Sequence, residues 1–214
     1  MADAGVIEGR VVHKTNNALQ ISFQDGPGDP FATGVQGAGD GKGKKLGVLF
    51  GFKNGGTGKH LVTFDDGGQL FIESKDGAPS VLTHADGATV ATIQRGETSV
   101  AQTAGGNEIL RFGPDPEGAK TVDAYRLVVS APDGSPVARL DIIRTVGGWT
   151  VSRAVDAATD LYIWWDRAGQ PLKVPILGTR LTLDRPLSAG EREVLVGVCV
   201  DIAIGLRPYV TEMK

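Results

Sequence analysis

Between Val194 and Leu206 the chain runs Val-Leu-Val-Gly-Val-Cys-Val-Asp-Ile-Ala-Ile-Gly-Leu, apolar at nearly every position. The residues before it, Ser188-Ala189-Gly190-Glu191-Arg192-Glu193, carry the marks of a helix start. Ser188 with Glu191 three positions on is a capping box, and the acidic first turn suits the positive end of the helix dipole. Gly205 and Pro208 supply a stop. The signals predict a helix over 188–206. Because it has no polar face, it has to be surrounded on all sides. Its apolar core of 13 residues, Val194 to Leu206, is short of the roughly 20 needed to cross a bilayer. It also contains Asp201. A helix buried inside a water-soluble domain is the expectation, with Asp201 held by an arginine or by hydrogen-bond donors of the surrounding wall, or placed near its mouth, since a buried unpaired carboxylate costs several kcal/mol.

The wall is written in the residues before the helix. From Gly5 to Arg180, short period-two or apolar runs alternate with Gly, Asp, Asn and Pro. This is the pattern of strands separated by turns. Runs such as Gln69–Glu73, Thr89–Ile93, Tyr125–Val129, Val137–Ile143 and Leu161–Trp165 are predicted strands, and Asp-Gly pairs at 25–26, 66–67, 76–77, 86–87 and 133–134 are predicted two-residue hairpin turns. Asp86–Arg95 and Asp133–Arg144 look like copies of one hairpin half, with a weaker echo at Asp76-Gly77-Ala78-Pro79. About a dozen strands then precede one helix. Closing such a sheet removes its aggregation-prone edges, and a barrel of that size has a lumen that wall side chains do not fill. The predicted fold is therefore mainly β: a single domain over 1–214, a closed antiparallel barrel of about 12 strands enclosing the C-terminal helix. The Gly-rich region 24–60 suits a mobile loop as well as it suits strands.

The repeated strand-Asp-Gly-x-x-Val-Ala pattern and the final apolar helix resemble the tubby C-terminal-like superfamily, which includes tubby domains, phospholipid scramblases and LURP-one-related proteins. The resemblance covers residues 60–210. It implies a 12-stranded barrel around a central C-terminal helix, and association with membrane lipid or phosphoinositide.

Charge and motif content narrow the function classes. The net charge of −3 offers no bulk attraction to nucleic acid. The single Cys199 cannot form an internal disulfide, which together with the absence of a basic-then-apolar start suggests a reducing, cytoplasmic location, peripheral to membrane if lipid-bound. Lys53-Asn54-Gly55-Gly56-Thr57-Gly58-Lys59-His60 imitates a phosphate-binding loop but has Lys where the first Gly belongs and His where the hydroxyl belongs. His13, His60 and His84 are far apart, and neither Asp25–Asp29 nor Asp115–Gly118 fits an EF-hand. No metal, cofactor or catalytic residue is expected.

What remains is a surface. The window Gly41–His60 holds Lys42, Lys44, Lys45, Lys53 and Lys59 without an acid, and Lys42–Lys45 lead into the apolar run Leu46–Phe52. Lysines meeting anionic headgroups beside an apolar insertion would make a membrane contact. The plainer alternative is a strand at 46–52 with solvated lysines at its rims. Trp164 and Trp165 are adjacent in a predicted strand, so one of them should point outward, as a surface contact or under a covering loop. The sequence thus favours a non-enzymatic lipid-associated binding module. A cytoplasmic protein-interaction or scaffold module is the alternative, and a scramblase-like activity is third.

Overall fold

The structure is a computed structural model, and it describes residues 5–13, 19–36, 58–75, 77–116, 124–144 and 176–204. Twelve strands form one closed antiparallel barrel in which each strand pairs with its neighbours in sequence and the first pairs with the last. They are β1 (Val6–His13), β2 (Leu19–Gln24), β3 (Ala32–Gln36), β4 (Gly58–Phe64), β5 (Gln69–Ser74) and β6 (Ser80–His84). The second half is β7 (Thr89–Gln94), β8 (Ser99–Gln102), β9 (Glu108–Pro114), β10 (Ala124–Ser130), β11 (Pro136–Arg144) and β12 (Ile176–Leu183). Among the described residues there is one helix, α1 (Ala189–Ala203). The closed barrel and its C-terminal helix are the predicted fold. The predicted strands at 46–52 and 161–165, and the stop at Gly205 and Pro208, lie outside the described residues.

Strict alternation makes the wall. In β5, Leu70, Ile72 and Ser74 face the lumen while Gln69, Phe71 and Glu73 face out. Because successive strands reverse direction, the connections fall alternately at two rims. One rim, here the turn rim, carries the joins β2–β3, β4–β5, β6–β7, β8–β9 and β10–β11 and the entry to α1. The far rim carries the joins that include 37–57 and 145–175.

The Asp-Gly pairs do not form the predicted two-residue turns. At 64–68 the Gly67 amide donates to the Phe64 carbonyl and the Phe64 amide to Gly68, so three residues make the loop. The same bonds recur at 84–88, 103–107 and 131–135. The physical reason is backbone cost: a two-residue type I′ turn needs positive φ at both residues, whereas here only the glycine pays it, Gly67 at +87° and Gly134 at +85°. The aspartate side chain accepts the amide two residues on, Gly68 to Asp66 at 2.8 Å and Ala88 to Asp86 at 2.9 Å. The pairs at 25–26 and 76–77 sit in longer joins, 25–31 and 75–79.

α1 enters at the turn rim and runs to the far rim, with every residue from Val194 to Ala203 buried. The barrel is fitted to it by glycine on one side. A Cβ on Gly34 of β3 would stand 2.5 Å from Val200 Cγ2, and one on Gly197 would stand 2.6 Å from Leu82 Cδ2 of β6. The helix is therefore set off-centre, its backbone nearest to β12, β5 and β4 and its tightest side-chain contacts made with β3 and β6. On the other side the lumen is filled by Phe112, Leu127, Leu140 and Ile142, all fully buried.

Candidate functional site

The helix brings its one internal charge to the far end of the lumen, where the wall has traded apolar for polar side chains. Ser74 ends β5 and Ser80 begins β6, so the alternation that buries Leu70, Ile72 and Leu82 also turns both hydroxyls inward. Ser74 Oγ donates to Asp201 Oδ1 at 2.6 Å and Ser80 Oγ to Oδ2 at 2.8 Å. Arg95, just past the end of β7, reaches in from the rim with Nη2 3.0 Å from Oδ2, and also bonds Ser80 Oγ. Asp201 is wholly buried, whereas the Arg95 side chain keeps 17% of its surface in contact with solvent. The carboxylate is thus neutralised and its oxygens are filled, the condition under which a buried ion is tolerated. His60 of β4 is buried beside it, with Nε2 3.9 Å from Asp201 Oδ1, too long for a hydrogen bond.

This cluster holds the helix rather than performing chemistry. Ser74, Ser80 and Asp201 are fully buried and have no solvent access through which a substrate could arrive. The arginine or wall donors expected for Asp201 are both present. The sequence reading missed His60, Ser74, Ser80 and Arg95 as its partners. Inward alternation was the available signal for the two serines, while the pairing of a helix residue with β4–β7 is a product of the closed topology.

At the other end, the first turn of α1 grips the turn rim through three consecutive charges. Arg185 bonds Glu191 through both guanidinium nitrogens, at 2.6 and 3.0 Å. This pair and the Ser188 cap hold the Glu191 carboxyl down at about 2, well below its ordinary value. Arg192 meets Asp25 at 2.5 Å and stacks on the Phe31 ring at 3.9 Å, and Glu193 meets His84 Nε2 at 3.1 Å. The capping box is present as expected.

Of the five lysines of the basic window, Lys59 is described. It is the second residue of β4, with a side chain 54% exposed, 3.9 Å from Glu73 on β5. Its assignment to a strand also fits the rejection of a phosphate loop, which needs a helix after its glycines. Lys42, Lys44, Lys45 and Lys53 lie outside the described residues, as do Trp164 and Trp165. Topology nevertheless fixes where the window is tethered: β3 ends and β4 begins at the far rim. Cys199 is buried and its thiol is pushed up to about 12 by that burial, in keeping with a packed thiol.

A surface cavity of about 440 Å³ is lined by Arg126, Val128 and Arg139 among others. Arg126 is bonded to Asp141 at 2.6 Å and Arg139 lies 3.9 Å from Asp184, so the cavity's cations are already engaged. Among the described residues no group of three or more His, Cys, Asp or Glu side chains is placed to hold a metal, and no helix is long and apolar enough to cross a membrane. No family model, curated protein or solved structure matches the chain.

Proposed function

We propose that this protein is a tubby-like barrel acting as a non-enzymatic module that associates with anionic membrane lipid through the window of Lys42, Lys44, Lys45, Lys53 and Lys59. The observation that carries the reading is the acid-free run of lysines beside the apolar Leu46–Phe52, tethered at both ends to one rim of the barrel. Two features of the fold support it. The lumen is occupied by α1, so a ligand has to be met from outside. The closed 12-strand barrel around a C-terminal helix is also the architecture that the tubby-like resemblance implies.

Electrostatics sets the scale. At about 1 kcal/mol per lysine, four or five give about 4–5 kcal/mol and a Kd on the order of 1 mM. Tight binding then depends on insertion of the apolar run. Co-sedimentation with phosphatidylcholine vesicles, with and without phosphatidylserine, tests the reading. Binding that requires phosphatidylserine and is lost in a Lys42→Ala/Lys44→Ala/Lys45→Ala variant is expected. Equal binding to both vesicles, or binding untouched by the triple substitution, refutes it.

One observation favours a protein partner instead. Phe71 is 41% exposed on the outer wall, flanked by Leu61 on β4, which in turn pairs with Val35 on β3. A pull-down partner lost in Phe71→Ser, without lipid dependence, would favour that reading. Lipid scrambling by release of the helix is the least supported, because withdrawing α1 would expose Val194–Ala203 and leave Asp201 without Arg95, Ser74 and Ser80.

A further inference from the structure

The outer wall of the barrel is divided by charge. Strands β2 to β8 contain one lysine, Lys59, and one glutamate, Glu73, with no aspartate or arginine. These two lie 3.9 Å apart near the far rim. Strands β9 to β12 together with β1 contain nine charged residues. Among them are the wall pairs of Arg180 with Glu8 at 2.7 Å and Arg126 with Asp141 at 2.6 Å. Mixed charge of this kind keeps an exposed sheet solvated and single. The other seven strands turn Ser, Thr, Gln and apolar side chains outward instead. Near the middle of that face three apolar side chains stand abreast, because Val35 is registered with Leu61 and Leu61 with Phe71. Phe71 is 41% exposed, the most open large apolar side chain among the described residues.

From this division we infer that the barrel pairs with a second copy of itself, the uncharged wall of one packing on the same wall of the other about a two-fold axis near Phe71. The inference goes beyond the membrane reading and does not depend on it. Charge selects the occupant. A charged partner would find on this face one lysine and one glutamate, each already beside the other. A two-fold contact lays a patch on its own image, so any charge close to the axis meets its like. The uncharged wall avoids that conflict, whereas the half that carries Arg126 and Arg180 does not. Area sets the strength. Seven strands spaced about 4.8 Å apart, each roughly 17–20 Å long, offer at most about 500–600 Å². Two copies then bury at most about 1,000–1,200 Å², the lower edge of specific interfaces. The dimer is therefore weak, and its population follows protein concentration.

Sedimentation equilibrium of the full chain tests this, with protein from about 1 μM to about 1 mM, the range in which a weak dimer dissociates. The mass should rise from 22.4 kDa toward twice that value. Because no ion pair lies in the contact, added salt should leave the dimer intact. Two substitutions on exposed outward positions bring like charge to the axis without touching the core: Phe71→Lys, and Thr63→Arg on the neighbouring strand. Each should weaken the dimer at least tenfold while the urea unfolding curve stays that of the wild type. Arg139→Ser, on the charged half and 57% exposed, should leave the dimer unchanged. A monomer at every concentration overturns the inference. So does a dimer that salt dissolves, that survives both charge substitutions, or that Arg139→Ser abolishes. None of these outcomes bears on vesicle binding through the lysine window, so the two readings fail separately.

Discussion

The two ends of α1 are held by opposite kinds of electrostatics. At the turn rim, Glu191, Arg192 and Glu193 reach Arg185, Asp25 with Phe31, and His84, three points spread around the barrel mouth and all in contact with water. At the far end a single carboxylate, Asp201, is closed off from water and bonded by Ser74, Ser80 and Arg95. Exposed pairs contribute little singly and are weakened by salt, so the rim contacts act by number and placement. A buried pair contributes modestly when complete and costs several kcal/mol when broken. For a helix apolar on every face, hydrophobic burial alone does not choose which side meets which strand. The rim contacts and Asp201 make that choice at opposite ends.

The contrast breaks most visibly at Asp201. Asp201→Ala removes the carboxylate shared by the Arg95 guanidinium and two buried hydroxyls, and a loss of about 3–5 kcal/mol in urea unfolding is expected. A double Asp201→Leu/Arg95→Met variant should recover most of that loss, since both charges of the pair are then replaced by apolar side chains. A double variant as unstable as Asp201→Ala would mean the cluster is not a simple ion pair. Next in size is the close approach of helix and wall. Gly34→Ala places a Cβ 2.5 Å from the stiff, branched Val200 side chain, so overpacking should cost about 1–3 kcal/mol, measurable by thermal melting. A neutral result would show that α1 does not lie against β3.

The turn-rim end should yield to acid by a smaller amount. Glu191 is held at about 2 in the folded state against an ordinary value of 4.5. A depressed folded value means that its contribution is complete above about 4.5 and is lost as pH falls toward 2. Allowing for solvent screening at the rim, the wild type should lose about 1–2 kcal/mol relative to Glu191→Gln over that window. Parallel pH profiles for the two proteins would contradict the Arg185 contact. The smallest effect belongs to Lys59→Ala: its partner Glu73 is as exposed as it is, and no measurable change in chemical denaturation is expected.

The same contrast explains how much was legible in the sequence. The turn rim is local: each turn needs a glycine, most often after an aspartate, and the strands on either side, all within a few residues. Strands β5, β7, β10 and β11 and the Ser188–Glu191 cap were accordingly visible before the structure, whereas β3 fell in the region 24–60 that suited loop and strand equally, and the turns at 64–68, 84–88 and 131–135 proved one residue longer than their Asp-Gly pairs suggested. The turn at 103–107 shows the limit of that signal, because it uses Ala104-Gly105-Gly106 with no aspartate and bonds Asn107 N to Thr103 Oγ1 instead. The far end of the lumen is non-local. That Asp201 needed a partner followed from desolvation alone, but which partners depended on where β4, β5, β6 and β7 end relative to a helix more than 100 residues later. His60 illustrates the same point, since in the sequence it stood at the end of a glycine-rich run and in the barrel it faces the helix.

Enclosure of α1 is the claim on which everything else depends, and native-state hydrogen exchange of the amides from Val194 to Ala203 tests it most directly. If the barrel surrounds the helix, these amides exchange only by global unfolding, with protection free energies equal to the unfolding free energy measured in urea. Exchange of this segment by local opening, well below the global value while the strand amides stay protected, would contradict a helix held inside a closed barrel.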